Sequence, residues 1–233
     1  MDKITLVNEL KKRAIKVSDL QLSQLWDFMT HVLKTNELFN LTAITNEGAF
    51  VEKMIFDSAS ALYGQNYDQK DILDIGTGAG FPSVVLAILS PTSRVYALDS
   101  TAKKVEFIKQ YAIKNNLPIT TINARAEDYA KDHREQFDYV IARAVAPLRV
   151  LMELAVPSLK VGGHFIAMKG PNYENEIKEA VGALKTLHCA IDYIYEDVLP
   201  LSEENRALIF IKKIDKTPHK YPRLYADIKN KAL

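Results

Sequence analysis

The chain has 233 residues, with 30 Lys and Arg against 29 Asp and Glu, for a net charge of +1. That length suits one α/β domain plus an added element, and the balanced charge excludes a uniformly basic nucleic-acid coat. No apolar run approaches the roughly 20 residues of a membrane span, a single cysteine (Cys189) excludes an internal disulfide, and five scattered histidines argue against a metal site.

The N-terminus leads into an amphipathic pattern rather than a signal peptide, so the expected location is the cytoplasm. Residues 3–15 carry Ile4, Leu6, Val7, Leu10 and Ala14 at helical spacing. Ser18 or Asp19 can cap a second helix running to about Leu33, with Leu22, Leu25, Trp26 and Met29 inward. A third helix is expected from Asn46 or Glu47 to Tyr63. These elements make an N-terminal helical cap, 1–65, with nothing catalytic by type. A ligand-binding domain over 66–214 and a basic C-terminal tail over 215–233 are expected to follow.

From Asp71 the pattern changes. Asp71–Ile75 reads as a strand, Gly76-Thr77-Gly78-Ala79-Gly80-Phe81-Pro82 as a tight turn, and 80–90 as a helix. A strand, a glycine turn and a helix start carry a nucleotide-like ligand at the carboxyl end of a parallel sheet. The dinucleotide fingerprint would want a third glycine where Phe81 stands, and a phosphate loop would want a lysine after Gly80. The better match is the first motif of Rossmann-like S-adenosylmethionine (SAM) methyltransferases, whose ligand carries no phosphate. Gly76, Gly78, Gly80 and Phe81 are therefore candidate cofactor contacts. Asp74 can accept from ligand amines or hold the loop.

Strand 94–98 ends in Asp99, which can accept both ribose hydroxyls of an adenosyl group or cap the next helix, 101–115. Strand 119–123 precedes Arg125-Ala126-Glu127, where Glu127 can meet the adenine edge or open a short helix. Strand 137–142 ends in Arg143, and a helix over 148–156 follows. Gly162-Gly163 leads into strand 164–168, which ends in Lys169. A helix over 173–187 precedes strands 191–198 and 206–213, whose short loop makes them a hairpin. Strands alternating with helices mean a parallel sheet with right-handed crossovers. The expected fold is α/β: a Rossmann-like class I SAM-dependent methyltransferase with a seven-stranded, mostly parallel sheet, an antiparallel terminal strand and the helical cap.

Charge concentrates in the tail. Residues 212–233 hold seven Lys and Arg against two Asp, a net of +5, which leaves −4 for the remainder of a chain at +1. That is the distribution of an arm that touches phosphates, or of a solvated terminus.

Five ordered motifs resemble one family: Asp74-Ile-Gly-Thr-Gly-Ala-Gly-Phe-Pro, Leu98-Asp-Ser, Arg125-Ala-Glu, Arg143-Ala-Val-Ala and Thr217-Pro-His-Lys-Tyr-Pro-Arg. They are similar to the RsmG (GidB) family, bacterial guanine-N7 methyltransferases of small-subunit ribosomal RNA, from Asn40-Leu-Thr-Ala-Ile to the tail. The resemblance implies SAM contacts at Gly76, Phe81, Ala126, Glu127 and Arg143, and 16S ribosomal RNA or a 30S assembly intermediate as partner, with a monomer expected. Two positions depart from the family pattern. Met54 stands where a histidine is common, and the ending after Arg223 lacks the usual glycine and proline.

The chemistry of the strand ends agrees with that target. Methylating an exocyclic amine usually calls for an Asn/Asp-Pro-Pro-Tyr/Phe clamp after the fourth strand, and Arg143-Ala144-Val145-Ala146-Pro147 stands there instead. Methylating pyrimidine C5 needs a cysteine nucleophile, and Cys189 lies far from the strand-end row. Guanine N7 has an in-plane lone pair and no proton, so it can attack the methyl in line without a general base; catalysis would be positioning. Arg143 cannot fork onto O6 and N7 together without blocking that lone pair. It should hold the SAM carboxylate, a phosphate or O6 alone, or form an ion pair. Lys169 is a phosphate or O6 contact, or a surface lysine. Lys212, Lys213, Lys220 and Arg223 are expected on RNA phosphates, with Tyr221 stacking. Two other readings stay open: a small-molecule SAM methyltransferase, and a SAM-binding ribosome-assembly or regulatory factor without turnover. An NAD-binding oxidoreductase fits least.

Overall fold

A computed structural model describes residues 1–233. Its seven strands are β1 (Asp71–Ile75), β2 (Arg94–Asp99), β3 (Ile119–Asn123), β4 (Phe137–Arg143), β5 (Leu159–Lys169), β6 (Cys189–Val198) and β7 (Asn205–Lys213), ordered β3-β2-β1-β4-β5-β7-β6. The first five pair in parallel, and β7 runs antiparallel between β5 and β6. The centre of the sheet is covered on both faces, which is why Ile72, Leu73, Val140 and Ile141 form unbroken apolar runs rather than an alternation. The strand order reverses at β1, so the loops after β1 and β4 open a crevice at the carboxyl edge.

β5 begins five residues earlier than expected and includes Gly162 and Gly163. The register slips between Phe137 and Tyr139 beside it, and a side chain at Gly163 would meet Asp138 O at 2.6 Å. The glycine is what lets the two backbones approach. The single helix expected over 173–187 is two, Tyr173–Glu179 and Val181–Thr186, broken at Ala180.

The cap helices form where the spacing placed them. Lys3–Lys12 starts on Asp2, and Asp19–Asn36 starts on a capping box between Ser18 and Gln21. The third runs continuously over 47–62, with a π-helical stretch at Val51–Phe56. The cap has no core of its own. Phe28 packs 5.0 Å from Phe81 and 4.9 Å from Tyr111, and Leu25, Phe50 and Ile55 join Val84, Ile88 and Ile108 in one cluster. Position 65 therefore marks a change of element type within a shared core. No helix is long and apolar enough to cross a membrane.

The tail is not a free arm. Arg134 donates to Tyr221 O and Thr217 O, and a helix at Tyr225–Asn230 buries Ile228 against Val150 and Leu154.

Candidate active site

A cavity of about 460 Å³ lies at the carboxyl ends of β1, β2 and β4. That is within the roughly 300–1,000 Å³ of small-molecule sites. Gly76, Gly78 and Phe81 line it from the glycine turn, Asp99 from the end of β2, Ala126 and Glu127 from beyond β3, and Arg143 from the end of β4. Seven of the nine expected cofactor residues are thus brought together, from segments up to 67 positions apart in sequence (76 to 143).

Asp99 is the organising carboxylate. Oδ2 accepts from Gly78 N–H at 3.0 Å and Oδ1 from Thr101 N–H at 2.8 Å. The first bond fixes the turn and the second makes an Asx-type turn onto Thr101, the residue before the helix Ala102–Lys114, which itself has no side-chain cap. Each oxygen takes one donor from the protein and has a lone pair to spare, and the residue lines the cavity, which suits a pair of ligand hydroxyls. Glu127, almost buried, accepts from Arg125 Nε at 2.5 Å, and the Arg125 guanidinium stacks on Tyr225 at 4.5 Å. Together they close the β3 end. Lys104, Met54, Val145 and Tyr225 also line the cavity. Sequence reasoning did not single out these four for the site. Only the departure at Met54 hinted at one of them.

Two expected contacts do not reach the cavity. Gly80 faces inward, where a side chain would meet Val84 Cγ2 at 2.7 Å and Phe28 Cζ at 3.1 Å, so its smallness seats the turn on the cap helix. Asp74 is fully buried beneath the turn. Its Oδ2 accepts from Ser83 N–H at 3.1 Å, while Oδ1 has no partner. It holds the loop and does not line the cavity.

Burial pushes the Asp74 carboxyl up to about 6 from its ordinary 3.8, outweighing the hydrogen bonds of Thr77 and Ser83 and the Arg143 charge. A carboxyl raised on folding favours the native state most below pH 4, and that contribution is lost as pH rises through about 4 to 6. At pH 7 the charged form costs about 3 kcal/mol. Asp74→Asn cannot ionise. Its stability relative to wild type should rise by up to about 3 kcal/mol between pH 4 and pH 7 in denaturant titrations. A difference independent of pH would show that Asp74 titrates normally.

A second cavity, about 620 Å³, adjoins the first. Met54, Arg143, Ala144 and Val145 line both. Ala144 holds a left-handed conformation, φ 54°, at this border. Such a conformation in a non-glycine residue is sparsely populated and clusters at functional sites. Arg143 takes the ion-pair option: Nη1 donates to Lys53 O at 2.9 Å and to Asp57 Oδ2 at 3.1 Å. The π-helical turn presents that carbonyl. Asp57 also meets Arg206 Nε at 3.3 Å, and burial pushes its carboxyl up against the pull of both guanidinium groups. Arg143 remains in the wall of both cavities, but as a braced side chain.

Lys169 is not a free cation. It donates to Ala146 O at 2.7 Å, pairs with Glu176 at 2.7 Å and is almost buried. It ties β5 to the 144–147 loop from the wall of the second cavity and is not a surface lysine.

The tail residues divide. Lys212 and Lys220 are exposed. Lys213 is wholly buried, donating to Val156 O at 3.1 Å and Leu159 O at 2.8 Å, with Glu135 at 3.4 Å; burial pushes its ammonium down. Tyr221 is buried in a core cluster of the main domain, with Lys220 and Arg223 over its ring, and presents no face for stacking. Arg223 clamps Glu153, donating from Nε at 2.9 Å and Nη2 at 2.6 Å. Those three are structural, because each satisfies a core surface or a buried carbonyl or carboxylate of the main domain. No cluster of three or more His, Cys, Asp or Glu side chains forms a metal site.

Comparison with known proteins bears on this geometry. The family described as rRNA small subunit methyltransferase G (GidB) matches residues 21–206. Two proteins named ribosomal RNA small subunit methyltransferase G are similar: one from Lactobacillus acidophilus, 42% identical over 221 residues and 92% of each chain, and one from a Thermoanaerobacter strain, 40% identical over 94% of this chain and 92% of that one. Among solved structures, M. jannaschii TYW2 in complex with AdoMet superposes with a TM-score of 0.58 at 16% identity, covering 74% of this chain and 80% of that one. At that identity the likeness shows the fold alone.

Proposed function

The chain belongs to the rRNA small subunit methyltransferase G family, and on that premise we propose that it transfers a methyl group from SAM to N7 of one guanine in 16S ribosomal RNA. The observation that carries the reading is the pair of cavities: a site built on Asp99 and the glycine turn opens across Met54 and Val145 onto a second, larger pocket. One suits a cofactor and the other an acceptor.

SAM supplies an electrophilic methyl on a sulfonium centre. Asp99 would accept the ribose hydroxyls, Gly76 and Gly78 would admit the ligand against bare backbone, and Glu127 with Ala126 would border the adenine. Guanine N7 loses no proton on methylation, so no general base is needed. Consistent with that, the ionisable groups between the cavities are tied up: Arg143 is bonded to Asp57 and Lys53 O, and Asp57 lies between Arg143 and Arg206. Braced groups can position a base and cannot shuttle protons easily. Well-oriented reactants gain effective molarities of roughly 10⁵ M or more. The exposed Lys212 and Lys220 remain candidates for phosphate contact. A base can enter only if unstacked, which fits single-stranded RNA in a partly assembled 30S particle.

The test is transfer of labelled methyl from SAM to small-subunit RNA and 30S particles from cells lacking this activity. Label in RNA supports the reading. SAM binding with no label in any RNA contradicts it.

A further inference from the structure

We propose that the second cavity takes the target guanine with N7 toward the border it shares with the cofactor site, and that Glu176 reads the N1–H and N2 amino edge. This rests on the guanine-N7 reading above.

A purine whose N7 faces Met54 and Val145 turns its N1 and N2 positions toward the far side of the pocket. Guanine presents only donors there, so that side must offer an acceptor. Two carboxylates line the second cavity, Asp57 and Glu176. Asp57 is buried and already matched in charge, one oxygen facing Arg143 at 3.1 Å and the other Arg206 at 3.3 Å.

Glu176 is different. Its Oε2 receives Leu148 N–H at 2.7 Å and Lys169 Nζ at 2.7 Å, while Oε1 takes no hydrogen bond from the protein. The side chain is 22% exposed and lines the second cavity without touching the first. One oxygen is therefore pinned from two directions and the other is left open. That is a preorganised acceptor, and a charged one, which makes the stronger kind of hydrogen bond. The anchors belong to the segments that build the pocket: Leu148 follows the 144–147 loop, and Lys169 ends β5 and also holds Ala146 O. Adenine would place an unprotonated N1 against this carboxylate and is rejected. The arrangement thus gives base identity without contacting the reacting atom.

The experiment uses 30S particles reconstituted with inosine at the mapped target position. Inosine keeps N7, O6 and N1–H and lacks only the N2 amine. Wild-type enzyme should lose about 10- to 100-fold in kcat/KM on inosine, the loss expected when a hydrogen bond to a charged group goes. Glu176→Gln keeps the Leu148 and Lys169 contacts through its carbonyl oxygen and turns an amide donor toward the base. It should lose a comparable factor on guanine, show less than about a 3-fold further loss on inosine, and keep wild-type SAM affinity by calorimetry. Glu176→Ala should abolish the inosine penalty in the same way and guards against a misplaced amide. A full inosine penalty in both variants overturns the assignment of Glu176. Wild-type enzyme that leaves guanine N7 unmethylated overturns the underlying reading instead.

Discussion

Gly78→Asp is expected to fold and to lose SAM binding by more than about 100-fold, or roughly 3 kcal/mol. Gly78 has φ 59°, and the nearest atom to an added Cβ is Gly76 O at 3.9 Å. A side chain therefore meets no wall of the protein. The left-handed backbone costs an L-residue about 1–2 kcal/mol, and aspartate is among the residues that bear it best. The penalty falls on the ligand. The N–H of Gly78 is bonded to Asp99 Oδ2 at 3.0 Å, so a new carboxylate stands beside the one proposed to hold the ribose. Like charges repel, and the space above the turn is filled. Calorimetry with SAM and a thermal melt separate the two effects. A folded variant that binds SAM at wild-type strength would show that the turn does not carry the cofactor.

The second large effect is on the tail. Arg223→Ala should destabilise the protein by about 3 kcal/mol, because Glu153 is left charged at zero exposure with only the Arg223 backbone N–H as partner. The tail helix should also loosen. Nη2 of Arg223 holds Lys231 O at 3.0 Å, and Tyr225, two residues on, lines the cavity proposed for the cofactor. SAM affinity should fall by a smaller factor of roughly 3- to 10-fold, about 1 kcal/mol. The double variant Glu153→Met with Arg223→Met removes the buried charge together with its partner and should recover most of the stability, since apolar replacements of buried pairs are often neutral. A double variant as unstable as Arg223→Ala would place the cost in lost tail packing. An unchanged melt in Arg223→Ala would show that the clamp contributes nothing.

Much of this architecture was legible in the chain itself. The glycine turn after an apolar strand, the acidic residue ending the next strand and the short loop before β7 rest on local patterns, and all three appear as expected. What failed was the exposure of charged residues. Lys212 and Lys213 are adjacent on a strand, so their side chains point to opposite faces and only one could stay in water. That signal was present. Glu153 sits in Val150-Leu151-Met152-Glu153-Leu154-Ala155, an apolar run that demands a partner for its charge; Arg223, 70 positions later, supplies it. The basic tail reads as an RNA arm by composition, but composition does not record that Arg134, Glu153 and the Ile228 site hold it down. Gly80 lies outside the cavity for a reason equally hidden from local pattern. It shares a motif with Gly76 and Gly78, and only the packing of Phe28 shows that its missing side chain serves the cap helix. The second cavity depends on a π-helical turn, a loop and the ends of three strands, and no single stretch of sequence carries it.

Methylation at N7 makes a guanine open to chemical cleavage, so the target atom can be read directly. The most direct measurement is to incubate the enzyme and SAM with small-subunit RNA from cells lacking the activity, reduce the RNA with borohydride, and map aniline-induced strand breaks, which mark 7-methylguanine. The expected result is one new break, at a single guanine, absent with Gly78→Asp. Methyl incorporation without a break, or breaks at many guanines, would contradict transfer to N7 of one positioned base.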